Sequence, residues 1–168
     1  MEQIITKQYT KYTLEFIFSE ANKMATHILD SISENRKKSF FLFAFTASIL
    51  SYSFLKITEC DYSYFVLLIG SIVSLWFLRN NLFPQTVTFN GALPENMINP
   101  YFNNFTEEKL EKEYLATQIE TYNSSMSSNR VQMSKMVSRF KTSAVITLVS
   151  FFVFGFFFLF GLVESLPA

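Results

Sequence analysis

The sequence is short of the residues on which most catalytic and metal chemistry depends. Among 168 residues there is one cysteine, Cys60, and one histidine, His27. A single cysteine excludes an intrachain disulfide, and one residue of each kind cannot build a usual zinc site. His27 reads as a surface or packing residue. There is no P-loop, no GxSxG elbow and no histidine-based nucleophile pair. No catalytic residue, metal or cofactor is expected, and an enzyme is not the reading. Proline and glycine are also scarce, at four each. Three of the prolines, Pro84, Pro94 and Pro100, fall between Arg79 and Phe105 beside the turn dipeptide Asn90-Gly91. Elsewhere little opposes helix.

Charge is missing from three runs: Ser39–Leu55, Tyr62–Leu78 and Thr142–Val163, of 17, 17 and 22 residues. A helix crossing the hydrocarbon of a bilayer needs about 17–25 residues. Hydrophobic residues make up 49% of the chain and 21 are phenylalanine, too apolar for a soluble domain of this size. The class that follows is an all-α membrane protein with three transmembrane helices. Thirty-eight mostly polar residues precede the first run, so no signal peptide is evident.

Lysine and arginine are sorted about those runs. Arg36, Lys37 and Lys38 precede the first, Arg79 follows the second, and Arg139 and Lys141 precede the third. The connection 56–61 offers only Lys56 beside Glu59 and Asp61. The positive-inside rule then puts the N-terminus and 79–141 in the cytoplasm, and 56–61 and the C-terminus outside. The domain plan is an amphipathic helix in 1–38, a transmembrane hairpin in 39–78 (spans 39–55 and 62–78), a cytoplasmic loop 79–105, a cytoplasmic helix 106–141 and a third span 142–163.

The last two segments read as one helix. No proline interrupts Thr106–Val163, which would measure roughly 87 Å. Thr106, followed by Glu107 and Glu108, suits an N-cap with acid in the first turn. Leu115, Ile119, Tyr122, Met126, Asn129, Met133, Met136 and Phe140 repeat at steps of three and four, a coiled-coil-like seam with one polar core position. Such a seam suits a homo-oligomer, with Asn129 restricting its register. At the same spacing the seam continues through Ser143, Thr147, Ser150, Phe154, Phe157, Gly161 and Glu164. Hydroxyls within a span face another helix or water. Two readings follow: a helix–helix contact glued by serine and threonine, or a pore lined by Ser143, Thr147 and Ser150. In the second, Phe154 and Phe157 form an apolar constriction and Glu164 an outer carboxylate ring.

Leu14, Ile17, Ala21, Met24, Ile28 and Ser31 make an amphipathic stripe over Thr10–Glu34, expected to lie on the long cytoplasmic helix rather than on lipid. Thr86–Phe89 suits a short strand. Lys109, Lys112, Arg130, Lys135, Arg139 and Lys141 give the long helix a basic surface. This serves solubility or, where several copies converge, phosphate binding, with Arg130 and Lys135 as the candidates.

The order of parts is a cytoplasmic helix, a span hairpin after Arg36-Lys37-Lys38, a proline-containing loop and a long helix entering the last span. With the basic-to-apolar junction Asn129–Val149 (NRVQMSKMVSRFKTSAVITLV), it resembles small transmembrane effectors of bacterial anti-phage systems, namely the Pycsar transmembrane effectors and the channel subunit of Hailong systems. The resemblance implies a membrane-disrupting, channel- or pore-forming homo-oligomer of a bacterial inner membrane, a tetramer on this ground alone. It also implies control by a nucleotide or oligonucleotide second messenger from a partner nucleotidyltransferase or cyclase, ending in cell death or arrest. Two other classes fit the residues: a non-conducting adaptor or structural subunit, and a holin-like lesion former without ligand.

Overall fold

A computed structural model describes residues 8–59, 61–83, 87, 88 and 100–164, with backbone alone at 101, 104 and 161–164. Cys60, Pro84, Pro94, Asn90-Gly91 and the side chain of Glu164 lie outside the described residues. So do both ends of the expected strand Thr86–Phe89; its middle residues, Val87 and Thr88, have no regular secondary structure. Among the described residues all regular structure is helical: α1 (Lys11–Thr58), α2 (Phe65–Leu82) and α3 (Glu107–Glu164), with short 3-10 segments at Tyr62–Tyr64 and Pro100–Asn104. All three long helices are apolar enough to cross a membrane.

The separate N-terminal helix and first span of the sequence reading are one helix. Nothing between Lys11 and Thr58 is proline or glycine, and lysine and arginine favour helix as well as most residues do. Lys38 pairs with Glu34 at 2.8 Å, one turn back, across the point where charge gives way to apolar sequence. Thr10 starts α1, its Oγ1 accepting the Thr13 N–H at 3.2 Å. Asp61 accepts the Ser63 N–H and turns the chain into the Tyr62–Tyr64 segment, so α2 begins at Phe65 rather than Tyr62. It then continues four residues past the charge-free run. On α3 the first-turn bond runs from the Leu110 N–H to the Thr106 carbonyl at 2.8 Å.

The chain divides into two compact units, Met1–Ile32 with Thr86–Met133, and Ser33–Gln85 with Ser134–Ala168. In the first, the early part of α1 packs on α3, as the amphipathic stripe suggested. Phe18 meets Tyr122 edge-on at 5.4 Å, the Tyr122 hydroxyl donates to Asn22 Oδ1 at 3.2 Å, and Lys11 pairs with Glu111 at 2.6 Å. The stripe itself is turned slightly. Leu14, Ala25, Ile28 and Ile32 are buried, Phe18 and Ala21 half-buried, and Met24 is exposed. The run 14, 18, 21, 25, 28, 32 alternates steps of four and three, the spacing of a helix that follows a partner helix.

Candidate functional site

In the second unit one face of α2 carries Leu67, Gly70, Ser71, Ser74, Leu78 and Asn81, all buried. Steps of three, four and seven put them on a single stripe, rich in small residues that let backbones approach. Opposite lie the hydroxyls of α3. Ser74 and Ser143 are hydrogen-bonded through their side chains, and Ser74 Oγ lies 2.9 Å from Thr147 Oγ1. One proton assignment uses each donor once: Ser143 donates to Ser74 Oγ, Ser74 to Thr147 Oγ1 and Thr147 to the Ser143 carbonyl (3.0 Å). Ser150 donates to its own Ile146 carbonyl at 2.8 Å and presses on Gly70. A Cβ at position 70 would overlap the Ser150 side chain, so only glycine allows this approach.

The three hydroxyls expected to line a pore are therefore covered by α2 within one chain. Phe154 is half-buried, its ring 4.7 Å from that of Tyr64, whereas Phe157 is exposed. The two do not share a setting. The side chain of Glu164, which ends α3, lies outside the description.

The seam proposed for oligomer contact is also occupied within the chain. Ile119, Tyr122, Asn129 and Met136 are buried, and Leu115, Met126, Met133 and Phe140 half-buried. Two polar junctions organise it. Asn129 Oδ1 accepts the Thr88 N–H (3.2 Å) and its Nδ2 donates to the Thr88 carbonyl (2.9 Å). Asn81, fully buried at the end of α2, donates through Nδ2 to Ser39 Oγ on α1 (3.0 Å) and to the Met136 carbonyl on α3 (2.9 Å). One amide thus joins all three helices of the second unit.

Of the two ligand candidates, the structure places one at a cavity. A groove of about 750 Å³ in the first unit is walled by α1 from Phe16 to Ser31 and by Arg130 and Met133 of α3. Its lining is mostly apolar, with Glu20, Lys23, His27 and Arg130 as the charged or titratable members. Lys23 is paired with Glu20 at 2.6 Å, while Arg130 Nη2 meets the Met24 sulfur at 3.4 Å. Lys135 is exposed and does not line the groove. Five residues beyond Arg130, it points about 140° away around the helix.

Gly70, Asn81 and Thr88 carry the geometry and were not singled out by pattern. The α2 stripe was visible as small and polar residues at helical spacing, and Asn81 as its last member. Thr88 offered no signal, because its backbone makes the contact. Comparison with protein-family models, with curated proteins and with solved structures gives no match.

Proposed function

We propose that this chain is a membrane effector whose three helices enter a bilayer and whose polar α3 face, covered by α2 in the arrangement described, becomes the wall of an ion-conducting pore when released. The observation that carries the reading is the contact of Ser143, Thr147 and Ser150 with Gly70 and Ser74. Hydroxyls facing small residues lose little by exchanging that contact for water, and Thr147 and Ser150 keep the bonds to their own helix either way. Release would leave these faces to associate with those of other copies, giving the homo-oligomer that a pore requires.

Control falls to the groove. Arg130 stands at its edge with a thioether as its hydrogen-bond partner, and a guanidinium so placed suits a phosphate. Groove residues and span residues belong to the same helices, α1 and α3, so a phosphate-bearing ligand that shifts one helix on the other has a covalent route to the spans. A nucleotide or oligonucleotide signal and a place in anti-phage defence come from the architectural resemblance. Ion flux from liposomes holding the purified protein, with and without cyclic nucleotides and short oligoadenylates, tests the reading. Nucleotide-dependent flux supports it, and no flux under any condition overturns it. The closed proton assignment among Ser74, Ser143 and Thr147 favours a second reading, a non-conducting structural subunit, which predicts that last outcome.

A further inference from the structure

A smaller cavity, of about 420 Å³, opens beside α1 and the end of α2, lined by Arg36, Lys37, Phe40, Phe41 and Leu82. Its residues are ordered along the helix axis. Phe40 is four residues beyond Arg36 and Phe41 four beyond Lys37, so each cation stands one turn, about 6 Å, from an aromatic ring on the same side. Both rings are exposed, at 61% and 73%. Charge at one level and apolar surface at the next is the profile of a phospholipid, headgroup first and chain second.

Neither cation is held in an ion pair, although Lys38, helped by the charge of Lys37, lowers the Glu34 pKa. Among the described residues neither Arg36 nor Lys37 pairs with a carboxylate, while their neighbour Lys38 takes Glu34 at 2.8 Å. Arg36 Nε is sealed from solvent and has no hydrogen-bond partner. A buried N–H on a charged group left without an acceptor is costly. A phosphate oxygen in the cavity would be met by the guanidinium's terminal N–H groups, which are not sealed. The mostly apolar lining favours a phosphate that brings hydrocarbon with it over a free anion.

We propose that this cavity binds one anionic phospholipid of the leaflet at the Arg36–Lys38 end of the spans, its phosphate on Arg36 and Lys37 and a chain along Phe40, Phe41 and Leu82. The proposal rests on the spans entering a membrane, which carbonate extraction of the expressed protein checks separately. The full chain, purified in detergent, is offered phosphatidylglycerol and phosphatidylcholine in equal amounts, and retained lipid is counted by native mass spectrometry. Phosphatidylglycerol should be preferred, and each of Arg36→Gln and Lys37→Gln should reduce that preference about fivefold, equivalent to about 1 kcal/mol. Replacing Lys38 and Glu34 together by Gln, which removes an ion pair and no net charge, should leave it nearly unchanged. Arg36→Lys, which keeps the charge but gives up the guanidinium fork, should fall between. Equal retention of the two lipids, equal loss in all three Gln variants, or displacement by millimolar inorganic phosphate would overturn the proposal.

Discussion

Asn129 holds the backbone of Thr88 from both sides, accepting its N–H at 3.2 Å and donating to its carbonyl at 2.9 Å. A carboxamide used this way imitates a neighbouring peptide in a sheet. It gives a polar residue at a heptad core position a partner within its own chain. The sign of one substitution changes with that. Leucine at a coiled-coil core position normally raises stability, but here Asn129→Leu removes two bonds from a side chain only 2% exposed. Thermal unfolding in detergent should show it less stable by about 1–2 kcal/mol. A higher Tm would return Asn129 to a seam between chains.

Gly70 and Ser150 should behave as a coupled pair. Gly70→Ala drives a methyl group into the Ser150 side chain and should destabilise by about 1–3 kcal/mol. Ser150→Gly removes the obstructing atoms, so the double variant should recover most of the loss. Additive losses in the double-mutant cycle would mean the helices separate at this point.

The three apolar runs were legible because a membrane span tolerates almost no charge, and their absence of charge is local information. The α3 seam was legible too, from Leu115 to Phe140, since a covered face repeats at helical spacing whatever covers it. The identity of the cover was not. Heptad spacing is the same whether the partner is a second copy or α1, and Phe18 of α1, edge-on to Tyr122, takes a part assigned to other copies. Asn81 was missed because Arg79 closes the charge-free run two residues earlier, although the helix continues to Leu82. Gly70 draws its meaning from Ser150, 80 positions away, and no local pattern links them.

Two exposed ion pairs should give α1 a weak pH dependence of opposite signs. The hydrogen bond from Lys11 to Glu111 raises the Lys11 pKa above 10.5, so its contribution is complete below that value and disappears as pH rises through it. Lys38 lowers the Glu34 pKa below 4.5, so that contribution is present above 4.5 and is lost as pH falls. Both groups face solvent, so salt should screen them. Amide exchange in residues 11–18 should speed up in Lys11→Met or at high salt, with no change in Tm. A large drop in Tm would mean that this pair carries more of the fold than its exposure suggests.

The orientation proposed from the sorting of lysine and arginine puts the connection between the first two apolar runs outside. Cys60, in the connection between the first two spans, should react with a membrane-impermeant maleimide in intact spheroplasts. Labelling only after lysis would reverse the topology and put the Arg130 groove outside the cell.

The central claim is that α2 covers the polar face of α3 and must leave it for conduction. Ser74 and Ser143 are in hydrogen-bond contact, so cysteines at both positions, with Cys60→Ser to remove the native thiol, should be within reach of a disulfide. Ion flux from liposomes carrying this variant is measured oxidised and then after reduction. The account predicts no flux while the bridge holds and flux with the triggering nucleotide once it is reduced. Equal flux in both states would show that conduction does not need this face and would contradict the account.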